Sequence, residues 1–198
     1  MTRVLDEAAL VERLSRSDSS ALGELMDLFW RPLRAYASRL LEDEDSAEDV
    51  VQGVFVRVWA ERSQWQPRSL QAYLFRITRN RALDQLRARL RVGRSQPELA
   101  SVPPRTPAEI LEGDELASVV DRAIQGLPER RREVFTLAYL QGLSYKEIAH
   151  VLGITPKTVG NQMTSALAEL RTVLEPWLSK PTDRPKPRRG PDVPPRDR

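Results

Sequence analysis

A cluster of prolines in the middle of the chain constrains its fold more than any other feature. Each proline lacks a backbone N–H and fixes its own φ, so neither a helix nor a strand can run through residues 92–109. We therefore predict two folded units, at 1–91 and 113–175, joined by an extended linker at 92–112. The prolines of the cluster are Pro97, Pro103, Pro104 and Pro107.

Both predicted units carry the period of α-helices, with an apolar residue every three or four positions. No pair of strands is predicted, so the expected fold class is all-α, with two small helical domains. The third long helix of the first unit is expected to begin near Ser69 and to continue through Leu83, Leu86 and Leu90. The residues expected to face inward are Leu70, Tyr73, Leu74 and Ile77. Residues 176–198 are rich in proline and arginine and poor in apolar residues, which predicts a disordered basic tail.

Residues 144–163 carry the most specific local pattern, two short helices separated by a glycine turn. Ser144 with Glu147 three positions later matches a capping box, and Gly153 provides the turn. Thr155 is expected to cap the second helix. Such a pair is a helix-turn-helix, which reads DNA with its second helix. The predicted buried stripe of that helix is Val159, Met163, Ala166, Leu167, Leu170 and Leu174.

The polar face of this second helix is a candidate DNA-reading surface. Lys157 to Ser165 span about 12 Å at the α-helical rise, comparable to the width of the major groove. Lys157 can contact a phosphate or a guanine edge, and Asn161 can pair with adenine, with Thr158 beside them. An ordinary hairpin with a polar outer face is the alternative. For Arg131, in the helix before, phosphate contact and a solvated position are both open.

Positive charge is concentrated in one block. The net charge is only +3, yet residues 62–94 hold nine arginines and one acidic residue. The helix in this block combines guanidinium groups, which bind phosphate, with an amide that can read a base; a solvated basic stripe is the alternative. Trp65, in the loop before it, can stack on an unpaired base or anchor the loop. The candidate face, which we call the arginine-rich face, consists of Arg76, Arg79, Asn80, Asp84 and Arg87.

Composition excludes several kinds of chemistry. The chain has no cysteine and a single histidine, His150, which excludes disulfides, cysteine nucleophiles and histidine metal cages. No catalytic residue, metal or cofactor is predicted. No apolar run approaches the roughly 18 residues that span a bilayer, and the start of the chain lacks the apolar run of a signal peptide. A cytoplasmic protein is predicted.

Two longer motifs, on either side of the linker, resemble bacterial RNA polymerase sigma factors of the extracytoplasmic-function class. The first comprises SAEDVVQGVFVRVW (Ser46 to Trp59) and YLFRITRNRALDQLR (Tyr73 to Arg87). The second runs from Leu127 to Val159, and the likeness covers about residues 20–175. It implies two domains similar to sigma regions two and four, in a non-enzymatic factor that directs core RNA polymerase to promoters.

The resemblance also assigns roles to residues. It implies minus-10 recognition as a melted strand by Trp65 and the arginine-rich face, and minus-35 recognition as duplex by Lys157, Thr158, Asn161 and Ser165, with Arg131. It implies contact with the polymerase clamp, in the largest subunit, by Glu48, Asp49, Gln52, Phe55 and Trp59. The flap of the second-largest subunit, promoter DNA and an anti-sigma factor are further expected partners. Gly53 departs from the family pattern, in which an acidic residue is common there.

A stand-alone helix-turn-helix regulator that binds only duplex DNA is the nearest alternative. The first unit would then bind a ligand or form a dimer, and the arginine-rich face and Trp65 would have no purpose. A small α-helical enzyme is a more distant alternative, because the sequence offers no catalytic constellation.

Overall fold

The computed structural model describes residues 6–64, 67–92 and 112–178, and this part of the chain contains helices and turns but no strand. The predicted all-α fold is confirmed. The cluster of prolines and residues 179–198 of the predicted tail lie outside the described residues. The tail was predicted to begin at residue 176, but residues 176–178 are the last residues of a helix that ends at Leu178. One helix ends at Val92 and the next begins at Glu112, at the two edges of the predicted linker.

The first unit is a bundle in which α2, α3 and α4 pack on one another and α1 closes one end. Asp18 begins α2, where its carboxylate accepts from the backbone N–H of Ser20 at 2.9 Å. Leu33 and Val54 are among the fully buried side chains between the helices. The helices are α1 (Glu7–Ser15), α2 (Ser19–Leu41), α3 (Glu44–Glu61) and α4 (Leu70–Val92), with a short 3₁₀ turn at Arg62–Gln64 after α3.

The second unit packs α8 against α5, α6 and α7. A π-helical turn, Thr136–Leu140, continues α6 directly. Such turns are rare, and their backbone hydrogen bonds join residues five positions apart instead of the four of an α-helix. The helices are α5 (Glu112–Gln125), α6 (Glu129–Phe135), α7 (Tyr145–Leu152) and α8 (Pro156–Leu178).

Some residues that were predicted to be buried are exposed. Leu167 is one of them, whereas Leu90, to which the predicted helix extends, is 75% exposed because α4 continues past the core, in which its last buried residue is Ala82. Leu167 is 41% exposed and Leu174 is half-buried. The buried stripe of α8 is therefore narrower than predicted, and consists of Val159, Met163, Ala166 and Leu170.

The two units are packed against each other. One apolar cluster contains the core of the first unit together with Val134, Leu137 and Ile148 of the second. A smaller cluster, including Ile124 and Leu170, lies where α5 meets α8. The sequence predicts a separate core for each unit, and the shared cluster is a feature that periodicity alone does not reveal.

Candidate nucleic-acid interface

The helix-turn-helix forms as predicted, through local caps. Ser144 Oγ accepts from the backbone N–H of Glu147, whose carboxylate accepts from the N–H of Ser144 at 2.8 Å. Gly153 ends α7 with a φ of +67°, a conformation that costs glycine little. Thr155 Oγ1 accepts from the N–H of Thr158 at 3.1 Å at the start of α8. These contacts define the end of α7 and the starts of α7 and α8.

The polar face of α8 is accessible and largely uncommitted. Lys157 and Asn161 are exposed, and within the described residues neither side chain makes a hydrogen bond or ion pair. The Thr158 hydroxyl lies 2.9 Å from Thr155 Oγ1, and Ser165 is half-buried. Because Val159 is fully buried on the opposite side, α8 can present this face without losing its packing.

Arg131 is engaged within the second unit. Its guanidinium forms an ion pair with Glu169 of α8. Arg130 Nη1 donates to Glu133 Oε2 at 3.2 Å, and Arg132 Nη1 donates to the Gln125 carbonyl at 2.9 Å. Arg131 and Arg132 thus hold α6 to neighbouring helices, while Arg130 pairs within α6, and this arrangement favours neither of the two options left open for Arg131.

The arginine-rich face of α4 divides into engaged and exposed members. Asn80 is exposed, and Arg87 pairs with Asp84 at 2.9 Å on the surface. Arg79 is only 15% exposed and donates through Nε to Glu133 of the second unit at 2.8 Å. Burial lowers the pKa of Arg79, but the hydrogen bond and charge of Glu133 outweigh burial and raise the pKa above its ordinary value. Trp65 lies outside the described residues.

A groove of about 600 Å³ separates this face from the helix-turn-helix. Arg76 lies on one side and contacts His150 Nε2 at 3.0 Å across the boundary between the units. His150 is exposed on α7. The groove therefore runs between the arginine-rich face of α4 and α7 with the turn that follows it, and none of the candidate minus-35 residues lines it. Its polar and turn residues include Arg76, Arg79, Asn80, Lys146, His150 and Pro156.

The predicted polymerase-binding residues of α3 differ in accessibility. Asp49 and Gln52 are exposed, and Glu48 is half-exposed with Arg34 Nε 4.0 Å from its carboxylate. Phe55 is 3% exposed and stacks on Trp30 with ring centroids 5.9 Å apart. The Phe55 side chain is a core residue in this state.

Two further features concern the same helix. Trp59, the remaining predicted contact, is half-buried beneath the Arg62 guanidinium, which lies 4.3 Å from its ring centre. The guanidinium of Arg81 lies against Gly53, where a Cβ would come within 2.4 Å of Nη2. Gly53 thus lets an arginine of α4 cross α3 at close range.

Glu133 is a buried charged residue of this region that the sequence did not single out. Its carboxylate is buried at the boundary between the units, where Oε1 accepts from Tyr36 Oη at 2.8 Å and from Arg79 Nε at 2.8 Å. The available signal was a charged residue one turn before Leu137, on the same buried side of the helix. Nothing in the sequence indicates that its partners lie in the other unit.

Comparison with family models assigns both units. A model described as sigma-70 region 2 matches residues 25–92, and one described as sigma-70, region 4 matches residues 118–170. The chain belongs to the sigma-70 family. This sigma factor is of the extracytoplasmic-function (ECF) class, a group of non-enzymatic transcription initiation factors that direct RNA polymerase to promoters. The resemblance seen in the sequence is confirmed.

Named relatives agree with the family models. The sigma factor is 30% identical to the RNA polymerase sigma-H factor of Pseudomonas aeruginosa, over 85% of this chain and 94% of that one. It is 32% identical to the ECF RNA polymerase sigma factor SigE of Mycolicibacterium smegmatis, over 70% of this chain, but it spans only 55% of that relative.

Solved structures are similar to the sigma factor along most of their length. One is the sigma factor RpoE in complex with the anti-sigma factor NepR from Bartonella quintana, with a TM-score of 0.60, 28% identity and coverage of 77% of this chain and 96% of that one. Another is CnrH in complex with the cytosolic domain of CnrY, with a TM-score of 0.60, 25% identity and coverage of 85% and 96%. In the sigma factor, none of the described helices is long and apolar enough to cross a membrane.

Proposed function

We propose that this sigma factor reads the minus-35 element as duplex DNA through α8 and the minus-10 element as a melted strand through α4. The observation that carries the proposal is the uncommitted polar face of α8, with Lys157 and Asn161 exposed at its beginning. The second helix of a helix-turn-helix enters the major groove with its N-terminal residues, and the exposed pair lies there. Thr158 and Ser165 flank this pair on the same helix.

The minus-10 proposal rests on chemistry that suits an unpaired strand. Arg76, Asn80 and Arg87 are exposed along one side of α4, so guanidinium groups can hold phosphates on either side of a base-reading amide. Arg79, Asp84 and Trp65 complete the proposed minus-10 site by family likeness. Removing a base from the duplex costs stacking energy, and a site that receives it makes opening depend on sequence.

Partner assignments follow the same division. We propose that the first unit (1–91) contacts the polymerase clamp through the exposed carboxylates and amide of α3, with Phe55 and Trp59 supporting them from within. The second unit (113–175) would contact the flap, with 92–112 as the connecting linker. Two structural relatives are complexes with the anti-sigma factor NepR and with the CnrY cytosolic domain, so we propose an anti-sigma partner for this chain.

Transcription with purified core polymerase tests the proposal as a whole. The reconstituted holoenzyme is given genomic DNA from its host, and the 5′ ends of the transcripts are mapped. We expect initiation at a small set of sites that share two elements at a constant spacing, because two linked modules gain affinity only when both can bind at once. Binding of the free chain to duplex, with no initiation, would instead support a stand-alone regulator.

Substitution of Asn80 separates the two reading steps. With a promoter found in that experiment, Asn80→Ala should reduce open-complex formation, measured by permanganate reactivity of unpaired thymines, about tenfold or more. Closed-complex binding, measured by footprinting of the upstream element, should change little. The matched variant Lys157→Ala should show the reverse pattern. Equal losses in both assays for Asn80→Ala would contradict its assignment to the melted strand.

A further inference from the structure

The first helix binds to three other parts of the first unit, although the proposed reading of the promoter assigns it no role. It precedes residue 25, where the match to sigma-70 region 2 begins. Leu10 and Leu14 of α1 are buried in the core, and the helix packs against α2 and the 3₁₀ turn that follows α3. We call residues 7–17 the α1 segment.

Glu7 binds the backbone N–H groups at the start of α4. Its Oε2 accepts from the N–H of Leu70 at 2.8 Å, and its Oε1 accepts from the N–H of Gln71 at 3.4 Å. Ser69 Oγ accepts from the next N–H, that of Ala72, at 3.2 Å. The first N–H groups of a helix have no partner within it, and the helix dipole favours a carboxylate there. The usual cap is the residue just before the helix, whereas Glu7 lies 63 positions before Leu70.

A second contact of the α1 segment is made at the end of α3. Ser17 Oγ accepts from Arg62 Nε at 2.9 Å. Arg62 begins the 3₁₀ turn and also donates through Nη1 to the Trp59 carbonyl at 2.6 Å. The connection between α3 and α4 begins at Arg62 and ends at Ser69. The α1 segment therefore binds the chain on both sides of this connection.

Ion pairs hold the α1 segment to α2. Arg13 Nε lies 2.9 Å from Asp18 Oδ2, and Arg13 Nη1 lies 2.7 Å from Glu24 Oε2. Arg13 Nη2 also donates to Ser20 Oγ at 3.0 Å. Each of these partly exposed pairs contributes little alone, but one guanidinium with three partners favours a single orientation of α1. The buried leucines and these pairs together set the position of Glu7 relative to α4.

We propose that the α1 segment is a positioning element for reading the melted strand, in which Glu7 holds the first turn of α4 and thereby its arginine-rich face. Arg76 is the first residue of that face and lies about 9 Å along the helix from Leu70, which is fewer than two turns. Without its cap the first turn can unwind, and the groups that follow it are then held less precisely. A side chain discriminates between bases only when its geometry is fixed. The proposal rests on the proposed minus-10 role of α4.

Base discrimination during promoter opening tests the positioning role. Holoenzyme made from purified core polymerase and the full chain is given a mapped promoter, or the same promoter with one minus-10 base pair changed so that the natural holoenzyme opens it much more slowly. Permanganate reactivity over time gives the two opening rates. In Glu7→Ala the ratio of these rates should fall about fivefold, the effect of a typical helix cap. A role in overall stability alone would lower both rates and leave their ratio unchanged, and that result would overturn the proposal.

A matched control removes the same side chain from the same helix. Glu12 is exposed, and its carboxylate pairs with Arg16 at 2.6 Å, within the α1 segment. Glu12→Ala should leave the ratio of opening rates unchanged. If Glu7→Ala fails to fold by circular dichroism, Glu7→Gln takes its place, because the amide oxygen can still accept from one N–H; the ratio should then fall by a smaller factor. Faster opening in either Glu7 variant would show that the carboxylate instead excludes a DNA phosphate from the start of α4, and would overturn the proposal.

Amide hydrogen exchange in the free chain, measured by NMR, tests the cap itself. In Glu7→Ala the amides of Leu70 and Gln71 should exchange about fivefold faster than in the natural chain, while Glu12→Ala should leave them unchanged. Unchanged exchange in Glu7→Ala would overturn the claim that Glu7 holds the first turn of α4. Failure of Asn80→Ala to affect promoter opening would remove the minus-10 assignment and leave the exchange result intact, so the two failures can be told apart.

Discussion

At the scale of single residues, exposure and pairing separate side chains of the same type. Lys157 and Asn161 have no partner in the described parts of the chain, whereas Arg79 and Arg131 each bind a glutamate. All four were predicted DNA contacts. The first two can bind a ligand without losing an existing interaction, and the other two must first exchange one, which lowers the net gain from a new contact.

Loss of Lys157 should weaken minus-35 binding in a salt-dependent way. In Lys157→Ala we expect the slope of log affinity against log salt to become shallower by about 0.9, the value for one phosphate contact. The measurement is a salt titration of holoenzyme binding to promoter duplex. Arg171→Ala is the control, because Arg171 is exposed on α8 about 21 Å further along, beyond the width of the groove. Equal slopes for Lys157→Ala and the natural chain would exclude the phosphate contact.

At the scale of helices, local chemistry sets the ends and tertiary contact sets the surfaces. The caps at Ser144, Gly153 and Thr155 lie where the sequence predicts, because each depends on residues within four positions. Which side chains of a helix are buried is less predictable from the sequence, because Leu90 and Leu167 continue the apolar pattern of their helices and are nevertheless exposed. A helical wheel gives the direction of a side chain, but it does not say how far along the helix a neighbour extends.

The crossing of α3 and α4 at Gly53 gives a prediction about helix stability. An alanine in a helix interior is about 1 kcal/mol more favourable than glycine, but a Cβ at this position must displace the Arg81 guanidinium. We expect Gly53→Ala to raise the free energy of unfolding by less than Gly23→Ala does, since Gly23 on α2 has no atom within 4 Å of an added Cβ. Urea unfolding measures both variants.

A double variant identifies the cause of that difference. Adding Arg81→Ala to Gly53→Ala removes the guanidinium group that must move. In the Arg81→Ala background, Gly53→Ala should therefore raise the free energy of unfolding by more than it does in the natural chain. If Gly53→Ala raises the free energy of unfolding of the natural chain as much as Gly23→Ala does, the close approach of Arg81 has no energetic consequence.

At the scale of the whole molecule, the packing of the two units depends on buried polar groups as well as apolar contact. Tyr36 is 2% exposed, its ring meets Phe75 edge-on at 5.3 Å, and its hydroxyl donates to Glu133 of the other unit. Burial, followed by the charge and hydrogen bond of Glu133, raises the pKa of Tyr36 well above its usual 10.0. The folded chain therefore keeps a proton that the unfolded chain releases near pH 10.

This linkage predicts a loss of stability in alkali. The contribution of Tyr36 is fully present below about pH 10, where the phenol is neutral in both states, and it decreases as pH rises further. Between about pH 9 and pH 11, the urea midpoint of the natural chain should fall more steeply than that of Tyr36→Phe, which keeps the ring and has no proton to lose. Parallel curves would mean that the phenol is not held neutral by the fold.

The sequence by itself determined the all-α class, the helix-turn-helix and the family, because caps, turns and helical periodicity depend on residues close together in the chain. It also placed the candidate minus-35 side chains on one accessible face. The tertiary structure alone decided that Arg79 is engaged rather than free, that Phe55 is buried, and that Gly53 makes room for Arg81. The hydrogen bond from Tyr36 to Glu133 joins residues 97 positions apart. Such a pair leaves no periodic signal, since its geometry exists only once both units have folded and packed.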